Sequence, residues 1–287
     1  MVSIIVPAYN EGQTIEHCLR SILAEAEPGE FDIVVVCNGC KDDTAERARK
    51  FVASGVRVLE TDVASKSNAL NLGDAAARSF PRFYVDADIE LGAAAIRDVA
   101  ALLSDDSDVL LAAPRAVVDY EDRDRWVQSY YKVWTKLPYV TEGVIGAGVY
   151  AFSRRGRARF DKFPEIIADD EFARLQVSPS ERRSSPTSRF KITPPTTLRG
   201  LVKINTRVHA GNAELRAKFP HLFVNSNTSP TRSLGILARS PELWPHAPIY
   251  LGVMLYARLA ARRKLRKGRE KEWERDDTSR ATFGTTP

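Results

Sequence analysis

Residues 2–11 read Val-Ser-Ile-Ile-Val-Pro-Ala-Tyr-Asn-Glu, an apolar, β-branched run that stops abruptly at polar residues. The run does not alternate, which suits a strand buried on both faces. Comparable runs start at Phe31, Val56, Phe83 and Val109, so successive starts lie 29, 25, 27 and 26 residues apart. Each interval holds one strand, one helix and two short loops. Between the runs, apolar residues recur at helical spacing: Ile15, Leu19, Ile22 and Leu23, then Ala69, Leu70, Leu72 and Ala76, then Ile96, Val99, Ala100 and Leu103. Asp43-Thr44 and Ser67 precede helical stretches and are read as their N-caps. The pattern predicts an α/β fold, a mostly parallel central sheet covered by helices on both faces.

The rhythm breaks after Pro114. Arg123–Lys136 reads as a polar helix carrying Trp126, Tyr130, Tyr131 and Trp134. A glycine-rich turn, Gly143-Val144-Ile145-Gly146-Ala147-Gly148, leads into a strand over Val149–Phe152. The Ser/Pro/Arg-rich stretch Ser178–Pro195 reads as a loop. From Pro241 a proline-punctuated linker enters one long helix.

Composition narrows the function classes. At 287 residues, 44% hydrophobic and 28% charged, the chain buries a substantial core and is neither disordered nor fibrous. Three cysteines are too few for a disulfide framework. No basic leader precedes Val2 and no apolar run reaches 18 residues, so a soluble protein of a reducing compartment is expected. The net charge is +5, from 42 basic and 37 acidic residues. Nine of the basic residues fall between Arg258 and Arg275, against only Glu270, Glu272 and Glu274. The body is thus near neutral, and no nucleic-acid partner is expected.

Open parallel sheets bind ligands beyond the carboxyl ends of their strands. The segments at those ends are Pro7-Ala8-Tyr9-Asn10-Glu11, Cys37-Asn38-Gly39-Cys40-Lys41-Asp42-Asp43, Lys66-Ser67-Asn68 and Asp86-Ala87-Asp88. All are polar and should converge on one cleft. In Asp86-Ala87-Asp88, two carboxylates flank one small residue, so one acid can meet a divalent cation and the other a neighbouring polar group. Mg²⁺ or Mn²⁺ suits such a site, because these ions take few protein oxygens and complete their shell with water and phosphate. An Asp-x-Asp alone is weak; its company gives it weight.

These four motifs, in this order, resemble the signature of family 2 glycosyltransferases over about residues 2–215. The resemblance implies a single GT-A-type, Rossmann-like domain with a C-terminal helical tail. It also implies a nucleotide-sugar donor, Mg²⁺ or Mn²⁺ as cofactor, and inversion at the anomeric carbon. Carried over by position, Pro7, Ala8, Asn10 and Glu11 line the base and ribose pocket. Asn38 stands where the family usually has an acidic turn, and can still hydrogen-bond a base edge. Lys66 meets phosphate, Asp86 the ribose side and Asp88 the metal. The pair Asp169-Asp170 matches the family's general base, with Asp170 taking the acceptor proton and Asp169 supporting it; otherwise the two cap the helix that holds Phe172 and Leu175. Arg207 would contact the diphosphate, and His209 would contact it or ligate the metal. Gly146-Ala147-Gly148 resembles an acceptor-side turn.

The resemblance further implies a donor half over residues 1–115, an acceptor half with the base over 116–225, and a linker and basic amphipathic tail over 226–287. The Gln-x-x-Arg-Trp motif of processive members is absent, which implies single additions. A UDP-sugar is the implied donor, with an acceptor that is a glycan, a lipid-linked glycan or a small molecule. Two rivals stand beside this reading: a sugar nucleotidylyltransferase, which would need a glycine-rich loop after the first strand, and a non-catalytic, membrane-tethered nucleotide-sugar binder. Cys37-x-x-Cys40 could be redox or zinc chemistry, but that leaves Asp86-Ala87-Asp88 unexplained. The apolar stretch Ile249–Tyr256 is too short to span a bilayer and runs into the basic residues. It suits an anionic membrane surface, the inner face of the cell membrane for a cytoplasmic protein. It would also suit docking on its own domain or on a partner in a homodimer.

Overall fold

The structure, a computed structural model, describes residues 1–141, 144, 147–227 and 229–266. Gly143, Ile145 and Gly146 of the glycine-rich turn lie outside the described residues, as do Lys267, Arg269, Lys271 and Arg275 of the basic run.

The elements begin β1 (Val2–Ala8), α1 (Ile15–Leu23), β2 (Phe31–Asn38), α2 (Thr44–Arg49), β3 (Arg57–Thr61), α3 (Lys66–Ala76), β4 (Arg82–Val85), α4 (Ala93–Leu102) and β5 (Leu111–Val118). They continue with α5 (Arg125–Trp134), α6 (Pro138–Thr141), β6 (Val149–Phe152), α7 (Arg154–Arg157), α8 (Asp169–Leu175) and β7 (Arg182–Ile192). Three helices close the chain: α9 (Leu198–Lys218), α10 (Pro230–Arg239) and α11 (Ala247–Arg266). Two compact units result. The first comprises Met1–Ala116, Val144–Glu165 and Asp169–Lys191; the second takes the remaining described residues.

The first unit carries one seven-stranded sheet in the order β3-β2-β1-β4-β6-β5-β7. β1, β2, β3 and β4 run parallel, and β6 runs antiparallel to both β4 and β5. Non-alternating apolar runs behave as expected, since Ile4, Ile5, Val6 and Ile33–Val36 are almost wholly buried. Strand order reverses beside β1, whose neighbours are β2 and β4, so the carboxyl ends of β1 and β4 flank a switch point.

Three local expectations need correction. Ser178–Pro195 is mostly an edge strand, β7, not a loop. Arg182, Ser185, Ser188 and Phe190 turn inward, and Pro186 is tolerated because an edge leaves backbone donors unpaired anyway. The cap of α3 is Ser65, whose side chain accepts from Asn68 N, while Ser67 lies within the helix. Asp43 caps α2 by position only, because its carboxylate bonds Arg47 instead.

Helix α3 is the bracket of this unit. A Cβ at Gly73 would lie 2.4 Å from Ile5 Cγ2, so glycine is what lets α3 rest directly on β1. One helical step on, buried Asp74 accepts from Arg82 Nη1 at 2.7 Å, Tyr84 OH at 2.6 Å and Arg157 Nε at 3.0 Å. Arg157 also donates to the carbonyls of Phe160 and Asp161. Asn71 grips the backbone of Phe163, donating to its carbonyl at 2.9 Å and accepting its N–H at 2.8 Å.

The second unit packs α11 against α9 and α5. Tyr130 OH donates to Asn205 Oδ1 at 2.8 Å, and its ring lies 5.3 Å from that of Tyr250.

Removing Asp74 would leave two buried guanidinium groups without their shared carboxylate. Asp74→Ala should therefore destabilise the fold by about 3–5 kcal/mol in urea unfolding. A loss below about 1 kcal/mol would show that this network is not what holds α3.

Candidate active site

The site starts where α3 begins. Capping by Ser65 fixes the first turn of α3 and so aims Lys66. Its ammonium lies 2.8 Å from Asp86 Oδ1, just beyond β4, and 3.3 Å from Asp169 Oδ2 at the start of α8. Two motifs more than eighty residues apart in the chain thus meet on one cation.

Each partner is held from behind. Asp86 N donates to Gly148 O at 2.8 Å, on the strand entry that pairs Val149 with Val85. Gly148 has φ +89, and a Cβ there would strike Ile89 Cδ1 at 2.9 Å, so this turn requires glycine. Helix α8 is anchored by Phe172, whose ring lies 5.4 Å from Phe160 within an aromatic cluster reaching Phe163 and Tyr84. Asn71 and Arg157 fix the backbone of that same segment.

The electrostatics follow from this crowding. Burial opposes the charge on Lys66, but the carboxylates of Asp169, Asp86 and Asp170 outweigh it and raise its titration. Asp169 is raised, first by burial, with Lys66 pulling down and Asp86 pushing up. Asp170 is pushed up to about 7, by burial and then by the charge of Asp169. One oxygen of Asp170 accepts from Glu171 N at 2.8 Å, within the first turn of α8. Buried Asp169 Oδ2 receives no aligned hydrogen bond, although the Lys66 ammonium is near.

The donor-side residues sort into two groups. Pro7, Ala8 and Asn38 are buried in β1 and β2, and Asn38 Nδ2 donates to Ala8 O at 2.8 Å. Reading a base edge with that amino group would require Asn38 to exchange this tie. Asn10 holds a left-handed φ of 52, which asparagine tolerates, and accepts from Lys41 N at 2.7 Å. Glu11 accepts from Thr14 Oγ1 and its N–H donates to Thr44 Oγ1, which stitches the loop after β1 to the loop after β2. Buried Cys18 has its thiol pushed up first by burial, then by Asp88, Asp86 and Glu11, which places those three carboxylates around it.

Arg207 and His209 lie on α9, in the second unit. Burial, and then the charge of Arg258, push His209 down to about 4. It is therefore neutral at pH 7, with a buried Nε2 that makes no hydrogen bond. Cys37 and Cys40 are free thiols; burial pushes Cys37 up to about 12, too high for an ordinary reactive thiolate.

Among the described residues no three His, Cys, Asp or Glu groups form a metal cage. Mg²⁺ and Mn²⁺ need no such cage, since one or two carboxylates plus phosphate oxygens suffice. Asp86, Asp169 and Asp170 all act on the single ammonium of Lys66, so this cluster holds more carboxylate than it can neutralise. The oxygen donors fit a hard divalent cation.

Four site-shaping residues escaped the sequence reading: Asn71, Asp74, Arg157 and Tyr150. Tyr150 stacks on Tyr84 at 5.1 Å, and its buried hydroxyl makes no hydrogen bond. Burial and then the charge of Asp169 raise its titration. Asn71 belongs to the same helical motif as Lys66, a signal that was available; Arg157 gives none, because its partner is 83 residues away.

Residues 3–162 match the family described as glycosyl transferase family 2. A curated relative is an uncharacterized protein of Mycobacterium tuberculosis, 36% identical over 138 residues, which are 48% of this chain and 42% of that protein. The match thus spans less than half of that relative's length. Among solved structures, the mannosyltransferase PcManGT of Pyrobaculum calidifontis, in complex with GDP-Man and Mn²⁺, aligns with a TM-score of 0.64 at 19% identity over 92% of this chain and 86% of that one. Glucosyl-3-phosphoglycerate synthase of M. tuberculosis, with Mn²⁺ and UDP-Glc, aligns with a TM-score of 0.52 at 21% identity, over 75% of this chain and 78% of that one. These two likenesses are of fold, the GT-A architecture.

Because Asp170 titrates near 7 when folded, the folded chain binds more protons than the unfolded one between about pH 4 and that value. Stability from this group is complete below the window and is lost as pH rises through it. Lys66 holds both carboxyls down, so Lys66→Met should extend the loss above pH 7. Urea unfolding across this range should show the variant losing stability more steeply than wild type. Parallel profiles would contradict the coupling.

Proposed function

The chain belongs to glycosyl transferase family 2, and from that premise we propose that it moves a sugar from a nucleotide-sugar donor to an acceptor hydroxyl, with inversion at the anomeric carbon. The observation that carries this reading is the Lys66 ammonium bound at once to Asp86 and Asp169, which joins donor-side and base-side motifs.

In this reading Asp170 is the general base. A carboxyl that titrates near 7 retains a captured proton far better than an ordinary aspartate, yet is substantially ionised at neutral pH. It takes the proton from the acceptor hydroxyl as the oxygen attacks the anomeric carbon. Asp169, 3.3 Å from the Lys66 ammonium, supports Asp170 by pushing its titration up. Asp86 takes the ribose side, and Lys66 offers positive charge to the phosphates. Pro7, Ala8, Asn10, Glu11 and Asn38 shape the base and ribose pocket. Asp88 would hold Mg²⁺ or Mn²⁺, which when bound neutralises the departing diphosphate.

The donor is a UDP-sugar in our reading, with guanosine and thymidine carriers as the alternatives; UDP-Glc and GDP-Man in the two structural neighbours support a nucleoside diphosphate carrier. The Mn²⁺ bound in both neighbours supports a divalent cofactor. The acceptor is a glycan, a lipid-linked glycan or a small molecule. Donor binding is assigned to residues 1–115, acceptor binding and the base to 116–225, and surface attachment to 226–287. The reaction is placed in the cytoplasm, at the inner face of the membrane, where three free thiols stay reduced. No helix of the described residues is long and apolar enough to cross a bilayer.

Asp170→Asn tests the base. Donor binding by calorimetry should persist, while release of nucleoside diphosphate across an acceptor panel should fall about 10²–10⁴-fold. Wild-type kcat should rise with pH through about 7, as the base form of Asp170 appears. Unchanged turnover in the variant would remove Asp170 from the mechanism.

A further inference from the structure

Helix α11 has two faces, and among the described residues only one packs on the rest of the protein. Tyr250, Val253, Ala257 and Ala261 are buried in the second unit, where the helix packs on α9 and α5. The opposite face carries Leu251, Leu255 and Leu259, at steps of four residues, with exposures of 49%, 62% and 45%. Tyr256 beside them is 62% exposed. Leucines three in a row on one helix face form a continuous apolar ridge about 12 Å long. Trp244, in the turn before α11, is a further large side chain left 57% exposed.

The same face changes character along its length. Arg258 follows Leu255 by three residues, and Arg262 follows Leu259 by three, so both continue the ridge, with Arg263 at its flank. All three arginines are exposed. The sequence from Ala247 to Arg269 contains no aspartate or glutamate, and adds Lys264, Arg266 and Lys267 to the same run. The face is therefore apolar at one end and cationic at the other, and the helix itself carries no acid to balance it.

This combination selects the occupant. A second copy meeting it through the same helix would bring the same cations and no acid from that helix, leaving the arginines unmatched. An anionic bilayer matches both ends: its acyl boundary takes leucine, tyrosine and tryptophan, and its phosphate headgroups take guanidinium. We propose that the outward face of α11 seats the protein on an anionic lipid surface, with the helix lying in the plane of the interface. This docking does not depend on the transferase chemistry, but it narrows that reading toward a lipid-linked acceptor.

The test is co-sedimentation of the full chain with vesicles of phosphatidylcholine alone, or mixed with phosphatidylglycerol. Binding should appear only with phosphatidylglycerol and weaken as salt rises. Leu255→Gln with Leu259→Gln should lower vesicle affinity at least about tenfold, with circular dichroism and Tm unchanged because both side chains point outward. Arg262→Gln with Arg263→Gln should also weaken binding and flatten its salt dependence. Equal binding to both vesicle types, or to neither, would overturn the proposal. So would wild-type vesicle affinity in the leucine variant. A concentration-dependent dimer in ultracentrifugation, abolished by the leucine variant, would overturn it in favour of a second copy. Vesicle binding is read without turnover, so its failure is separable from failure of the transferase reading.

Discussion

A lysine ammonium between two carboxylates organises this protein. Lys66 sits at the start of a helix, where its own backbone offers it no stabilisation, and burial works against its charge. Asp86 and Asp169 reverse that balance. Asp169 is the deeply buried member of the three, so its charge most needs the ammonium held in place. Helix α3 provides that fixity. Gly73 lets it lie on β1, Asp74 ties it to Arg82 and Arg157, and Asn71 clamps the backbone at Phe163. One short helix thereby positions both the acid after β4 and the segment that leads toward α8.

Asp169 and Asp170 show how neighbouring identical side chains acquire different chemistry. Both are raised by burial, yet Asp169 faces the ammonium while Asp170 faces the charge of Asp169. The surrounding excess of carboxylate gives a divalent cation a physical reason to bind. Tyr150 adds a buried, unpaired hydroxyl beside the same acids.

Much of the fold was legible because buried parallel strands announce themselves as unbroken β-branched runs at a steady interval. Val2–Ala8 and Phe31–Asn38 needed nothing else. Strand order was not legible: periodicity does not say that β6, late in the chain, pairs between β4 and β5. Ser178–Pro195 misled because serine, proline and arginine are loop formers, whereas an edge strand with one wet face accepts them. Polar residues following strands were visible as motifs, so Lys66 and Asp86 could be named in advance, while Asp169 and Asp170 were named only through the family resemblance. Asp74 and Arg157 could not, because each is meaningful only through a partner remote in sequence. Asn38 shows the limit from the other side, since its amide nitrogen is engaged by Ala8.

The central claim is that the carboxyl ends of β1 and β4 bind a nucleoside diphosphate with a divalent cation. Thermal unfolding with UDP, GDP, TDP and their sugars, each with Mn²⁺, Mg²⁺ or EDTA, tests it directly. Wild type and Asp88→Ala would be compared. At 100 times its dissociation constant a ligand stabilises the fold by about 2.7 kcal/mol, a readily measured shift. The account predicts stabilisation by one base class, dependent on metal and lost in Asp88→Ala. No shift with any nucleotide, from a protein that unfolds cooperatively, would contradict it.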